Sequence, residues 1–156
     1  MSFKYPRDTL FKCTKCAICC SDTEIHVRHI LLLEKEAEEI SKITSNPIEE
    51  FAVRIKGREP YTYEMKKTEE GKCAFLHGKD CSIYSSRPLI CKFYPFQLEM
   101  TRNGRYGFFV TKECPGLGKG SRLGKSYFRS LFMQACHQIE ENQMRSCRRF
   151  VDETIT

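Results

Sequence analysis

The sequence has no long apolar run. Its longest aliphatic stretch, residues 30–33, is far shorter than the roughly 20 residues that a membrane-spanning helix needs. The first six residues contain no apolar segment of the kind that secretory signals carry, so we expect a cytoplasmic protein without a membrane partner. Internal repeats and low-complexity linkers are also missing. We therefore expect one domain over residues 1–156.

The composition is that of an ordinary globular chain, with 40% hydrophobic and 29% charged residues. The net charge is +6. Residues 119–149 carry seven basic groups against Glu140 and Glu141, a local excess of +5: Lys119, Arg122, Lys125, Arg129, Arg145, Arg148 and Arg149. We find no nucleic-acid motif. A solvated helix face is the favoured interpretation, and docking of an unknown protein partner on this basic C-terminal helix is the alternative.

Hydrophobic periodicity predicts a small, irregular α+β domain with short antiparallel strands and about three helices. The cysteines described below lead us to expect that this domain is organised around a cysteine-ligated metal centre. We predict strands at 23–27, 61–65, 96–100 and 106–110. We predict helices at 33–43, after a cap at Asn46, and at about 126–147. Asn103-Gly104 indicates that the last two strands form a hairpin.

The ten cysteines are the most informative residues. In a reducing compartment, clustered cysteines are more often metal ligands or redox centres than structural disulfides. The first cluster has the spacing Cys13-x-x-Cys16-x-x-Cys19-Cys20. Such spacing lets several soft thiolate ligands converge on one centre, which suits zinc, copper(I) or iron–sulfur.

A second, dispersed group contains Cys73, Cys81, Cys91 and Cys114, each beside turn-forming or aromatic residues. Together the two groups supply ligands for up to two tetrahedral centres, or for one centre with spare thiols. Structural zinc usually takes paired C-x-x-C knuckles, whereas this chain has a single run and a distant Cys114-Pro115, closer to bacterial ferredoxin ligation. We therefore favour a [4Fe–4S] cluster over zinc, and we expect the eight cysteines to converge in one region.

Further short motifs surround these cysteines: Cys73-Ala-Phe-Leu, Cys81-Ser-Ile-Tyr84, Arg87-Pro88-Leu-Ile-Cys91, Tyr94-Pro95-Phe96 and Cys114-Pro115-Gly116-Leu-Gly118. With the first cluster, they resemble the CxxCxxCC cysteine-cluster family, described as zinc- or iron-chelating domain proteins. The resemblance runs from about residue 11 to about residue 120. It implies that the eight cysteines form the chelating set. Some larger members are flagellin lysine N-methylases, so protein modification is one activity that the resemblance implies.

Three functions therefore stay open: a metal-binding redox or accessory module, a cluster-dependent protein-modifying enzyme, and a zinc-stabilised interaction domain. We assign no catalytic residue. Cys136 and Cys147 lie outside the ligand pattern, and we interpret them as inert helical thiols. Arg87 has two interpretations of equal weight: it donates to a cluster or an anionic substrate, or it satisfies loop carbonyls.

Overall fold

The computed structural model describes residues 3–100 and 104–139. They form two compact units. The first unit falls within residues 1–14 and 93–156, and the second unit comprises residues 15–92. The sequence predicts that residues 1–156 act as one metal-binding domain, and this stays a prediction.

The strands are short. In chain order they are β1 (Phe3–Lys4), β2 (Leu10–Phe11), β3 (Leu31–Leu32), β4 (Ala52–Arg54), β5 (Tyr63–Met65), β6 (Leu76–His77), β7 (Asp80–Cys81), β8 (Phe96–Met100), β9 (Tyr106–Val110) and β10 (Ser121–Arg122). Four α-helices accompany them within the described residues: α1 (Glu34–Thr44), α2 (Ile48–Phe51), α3 (Leu89–Phe93) and α4 (Lys125–Gln138). The α+β class is confirmed, with four α-helices where the sequence predicts about three.

The second unit is built on a three-stranded antiparallel sheet in the order β3-β5-β4. Helix α1 follows β3 and begins with a capping interaction, since the Glu36 carboxylate accepts a hydrogen bond from the Leu33 backbone N–H at 2.9 Å. Acidic residues in its first turn also favour the positive end of the helix dipole. The core of this unit includes Leu32, Ala37, Ile40, Phe51 and Phe75.

The predicted strand at 23–27 is wrong. This segment is a loop, in which the Thr23 N–H donates to the His26 carbonyl at 2.8 Å and the His26 N–H donates to the Thr23 hydroxyl at 3.1 Å. Ile25 and Val27 are 75% and 63% exposed, so the alternation that indicated a strand buries neither residue. The local turn satisfies the backbone groups that a sheet would otherwise pair.

The first unit brings together two distant parts of the chain. Its sheet has the order β1-β9-β8, with β1 parallel to β9, and a separate two-stranded ribbon pairs β2 with β10. The predicted β8–β9 hairpin is confirmed with register Phe96 to Val110. Aromatic rings fill the interior, where Phe3 stacks on Phe132 and Tyr5 stacks on Phe128.

Helix α4 closes the first unit with the predicted apolar stripe buried: Phe128, Leu131, Phe132, Ala135 and, just past its end, Ile139. The helix begins at Lys125. Its predicted continuation to about residue 147, together with Cys147, lies outside the described residues. None of the helices in the described part of the chain is long and apolar enough to cross a membrane.

Candidate metal centre

Eight cysteines of the described residues are thiols outside any disulfide, and they are the eight that the sequence selects as ligands. The second unit contains six of them and the first unit two. The six are Cys16, Cys19, Cys20, Cys73, Cys81 and Cys91, and the two are Cys13 and Cys114.

A tight turn presents the Cys19–Cys20 pair. Lys15 and Ala17 adopt left-handed φ values of 55° and 65°, and a single 3₁₀ turn over Ile18–Cys20 follows. The chain thus reverses direction within a few residues, and Cys19 and Cys20 both lie on this short turn. The Sγ atoms of Cys19 and Cys20 lie 3.9 Å apart.

Backbone pairing joins this turn to the second cysteine group. The Cys73 N–H donates to the Cys20 carbonyl at 2.7 Å, and the Asp22 N–H donates to the Gly71 carbonyl at 2.8 Å. Gly71 has a φ of +75°, and a Cβ there would lie 2.8 Å from the Asp22 carboxylate. Glycine is therefore required at this crossing for two reasons, its left-handed backbone and the lack of space.

Cys81 and Cys91 reach the same core from two other elements. The β6–β7 hairpin pairs Cys81 with Leu76, whose own N–H donates to the Cys73 carbonyl at 3.0 Å. Helix α3 carries Cys91. Both cysteines, together with Cys20, pack against the hydrophobic cluster that contains Cys73.

The sulfurs of this group influence one another electrostatically. Burial raises the pKa of the Cys91 thiol, and the neighbouring thiols of Cys73, Cys19 and Cys81 raise it further. Burial also raises the pKa of Cys73, as do Cys81 and Cys19. A hydrogen bond with Cys20, followed by burial, raises the pKa of Cys19. All three therefore favour the protonated thiol, and a bound cation would reverse that preference.

A metal centre itself is not shown. Within residues 3–100 and 104–139, no three cysteine, histidine or acidic side chains stand in an arrangement that could hold a metal ion. The donor chemistry nevertheless fits zinc or iron–sulfur, since soft thiols from separate segments face a desolvated core. The eight-ligand set stays a prediction.

In the first unit, Cys13 and Cys114 belong to segments that pair. The Lys12 N–H donates to the Gly116 carbonyl at 3.1 Å, and the preceding Phe11 forms an isolated antiparallel bridge with Leu117. A Cβ at Gly116 would overlap the Lys12 carbonyl oxygen, so the chain there packs backbone against backbone. This pairing brings both cysteines to one region of the unit.

Two residues outside the ligand set have defined surroundings. The Arg87 Nε donates to the Tyr84 carbonyl at 3.0 Å, and the guanidinium lies 3.9 Å from the centroid of the Tyr84 ring. The interpretation in which Arg87 satisfies loop carbonyls is thus confirmed. Cys136 is disulfide-bonded, so its interpretation as an inert helical thiol is wrong.

Two features of the structure go beyond what the sequence predicts. One is Arg28, whose side chain is hydrogen-bonded to the cysteine turn. The other is the distribution of charge: in the described residues the first unit has nine basic and three acidic residues, a net charge of +6, whereas the second unit has thirteen of each. A window along the sequence shows only the part of this excess at residues 119–149, because the first unit is assembled from separate segments.

The family assignment agrees with this arrangement. A model of the CxxCxxCC family, described as a "putative zinc- or iron-chelating domain", matches residues 12–115. The chain belongs to the CxxCxxCC family. The matched range includes all eight cysteines of the predicted ligand set and excludes Cys136 and Cys147.

Two relatives from the archaeon Methanocaldococcus jannaschii are similar to this CxxCxxCC protein. The uncharacterized protein MJ0661 is 29% identical over 133 residues, which cover 80% of this chain and 68% of the relative. The uncharacterized protein MJ0939 is 24% identical over 148 residues, covering 86% of this chain and 49% of the relative. No solved structure matches the chain significantly.

Proposed function

We propose that this CxxCxxCC protein chelates an iron–sulfur cluster of the [4Fe–4S] type, and that Cys19, Cys73, Cys81 and Cys91 are its ligands. The observation that carries this proposal is a shared core: Cys73 lies in one hydrophobic cluster, and Cys20, Cys81 and Cys91 pack against it. The Sγ atom of Cys19 lies 3.9 Å from that of Cys20. Cys19 also contributes to the raised pKa values of Cys73 and Cys91. The four proposed ligands come from three separate parts of the second unit, as expected of loops folded around a centre.

Iron–sulfur is preferred to zinc for reasons of ligand pattern. All donors are thiols, the cysteines after the first cluster stand singly rather than in paired knuckles, and a Cys-Pro pair ends the matched range. With no assigned catalytic residue, a redox or accessory role is the simplest use of such a centre. The lysine N-methylase-like alternative stays a prediction.

Anaerobic purification followed by iron, zinc and acid-labile sulfide analysis tests this proposal. A [4Fe–4S] protein contains iron and sulfide in equal amounts and shows broad visible absorption. Zinc without sulfide would establish the zinc alternative. Neither metal in a chain with all its thiols reduced would overturn the chelation proposal.

The charge distribution favours a second function, an interaction domain for an acidic protein partner. The nine basic side chains of the first unit are all exposed: Lys4, Arg7, Lys12, Arg105, Lys112, Lys119, Arg122, Lys125 and Arg129. Arg122 forms an ion pair with Asp8. Leu10, opposite Arg122 in the β2–β10 ribbon, is 39% exposed, which adds an apolar contact that suits a protein better than a phosphate backbone.

A glutamate-rich peptide that contains leucine is the probe for this surface. We expect salt-sensitive binding that falls at least about 10-fold in the Lys119→Glu, Lys125→Glu double variant. The matched control is Lys42→Glu with Lys56→Glu, two exposed lysines of the second unit. Equal losses in both double variants, or binding of duplex DNA in preference to the peptide, would overturn the proposal.

A further inference from the structure

The Arg28 side chain holds the turn that carries Cys19 and Cys20. Its Nε atom donates to the Ile18 carbonyl at 3.2 Å and to the Ser21 carbonyl at 3.3 Å. These two carbonyls lie immediately before and after the cysteine pair. One half-buried guanidinium therefore fixes both ends of the turn.

The backbone of Arg28 is itself held in place. Its N–H donates to the Asp22 carboxylate at 2.8 Å, and its carbonyl accepts from the Lys67 ammonium at 3.0 Å. Lys67 and Asp22 also form an ion pair at 2.8 Å. Lys67 further bridges to Cys73 through the backbone, so this network connects the two cysteine segments.

The positive charge of Arg28 lies beside the cysteine pair, because its Nε atom donates to the carbonyls on either side of Cys19 and Cys20. Four thiolates around a zinc ion or a cubane cluster leave excess negative charge in a desolvated site. A fixed cation beside that site offsets part of the charge and stabilises the loaded state.

We propose that Arg28 is the positioning residue of the metal centre, which orients Cys19 through the Ile18 and Ser21 carbonyls and compensates thiolate charge once metal binds. This inference rests on the proposed chelation by Cys19. It adds a residue that lies outside every cysteine motif of the sequence. The arrangement predicts that loss of the Arg28 charge weakens metal binding through Cys19 specifically.

The experiment uses cobalt(II) as the probe, because thiolate-to-cobalt charge-transfer bands report on bound sulfurs. We expect Arg28→Gln to weaken cobalt affinity by about 10- to 100-fold, the range typical of residues that support metal ligands. Arg28→Lys keeps the charge and should restore part of the affinity. Arg58→Gln, at an exposed arginine of the same unit, is the control and should leave the affinity unchanged.

A double-mutant cycle separates positioning from a general effect on folding. If Arg28 acts through Cys19, adding Arg28→Gln to a Cys19→Ser chain should cause no further loss of affinity. Additive losses, or an Arg28→Gln chain that binds cobalt like the wild type, would overturn the inference alone. A reduced wild-type chain that binds no cobalt would overturn this inference, whereas the proposed chelation stands or falls on the iron, zinc and sulfide content of the purified protein.

Discussion

At the scale of single residues, the ten cysteines are not equivalent. Cys91 lies among three other thiols at the core of the second unit, whereas Cys136 is a disulfide-bonded residue of α4. We predict that Cys91→Ser reduces bound metal by at least about half, because hydroxyl oxygen is a poor replacement for a soft thiolate. Elemental analysis of the purified variant measures this loss.

Cys136→Ser is the matched control for that substitution. It removes a disulfide but no predicted ligand, so metal content should stay at the wild-type value even if thermal stability falls. Loss of metal in Cys136→Ser, or full retention in Cys91→Ser, would show that the ligand set is assigned incorrectly.

The raised thiol pKa values also predict how pH affects metal binding. Cys19, Cys73 and Cys91 all have pKa values above the ordinary 9.0, so they hold their protons at neutral pH until metal displaces them. Proton release makes the apparent affinity rise with pH, by up to about one log unit per pH unit for each proton displaced. Zinc competition titrations between about pH 6 and about pH 9 measure the slope.

Removal of one ligand gives the internal check on that slope. Cys91→Ser has one proton fewer to release, so its affinity should rise less steeply with pH than that of the wild type. An affinity that falls as pH rises would contradict thiolate ligation.

At the scale of structural elements, the crossing at Gly71 connects the two cysteine segments. Gly71 and Gly57 have similar left-handed φ values of +75° and +79°, but only Gly71 has neighbours that a Cβ would meet. Both alanine variants carry the left-handed backbone cost of about 1–2 kcal/mol. Gly71→Ala must also displace Asp22, so we predict a clearly larger fall in melting temperature and in metal content.

Thermal unfolding and elemental analysis of the two variants measure this difference. Gly57→Ala serves as the control for backbone strain alone. If the two alanine variants lose equal stability, Asp22 can move without consequence and its role at the crossing is smaller than the structure indicates.

Prediction of elements from sequence succeeded where the signal is local. The β8–β9 hairpin and the buried stripe of α4 follow from strand alternation, from Asn103-Gly104 and from helical periodicity. The segment 23–27 failed because Thr23 forms its own turn with His26, which no periodicity reveals. Helix α2 begins one residue later than predicted, with Pro47 rather than Asn46 as the cap.

At the scale of the whole molecule, the nonlocal pairings could not be predicted. Nothing in residues 3–11 indicates that β1 pairs with β9 or that β2 pairs with β10, more than 90 residues away. The same limit applies to the metal site: spacing identified the eight cysteines, but their division between two units depends on these long-range contacts. The role of Arg28 could not be predicted either, because only the folded turn brings the Ile18 and Ser21 carbonyls within hydrogen-bond distance of its side chain.

Metal removal should affect the two units unequally. The second unit contains the four proposed ligands, and cysteines form part of its hydrophobic core, whereas the first unit has an aromatic interior of its own. Structural metal binding contributes on the order of 10 kcal/mol in small domains. We therefore predict that anaerobic chelation accelerates hydrogen exchange mainly in residues 15–92.

Hydrogen exchange followed by mass spectrometry resolves the two units in one sample. Strands β8 and β9 provide the internal reference, since they pair over five residues in the first unit. Unchanged exchange and an unchanged melting temperature after complete chelation would mean that metal is not needed for folding.

The discontinuous first unit also imposes an order on biosynthesis. Residues 15–92 form a continuous stretch, whereas residues 3–14 must wait for partners as late as Arg122. At about 5–20 residues per second, translation from position 92 to position 122 takes roughly 2–6 s. Throughout that interval six of the eight predicted ligands have already been synthesised within one contiguous unit. A nascent chain can therefore acquire its metal before the N-terminal strands have anything to pair with.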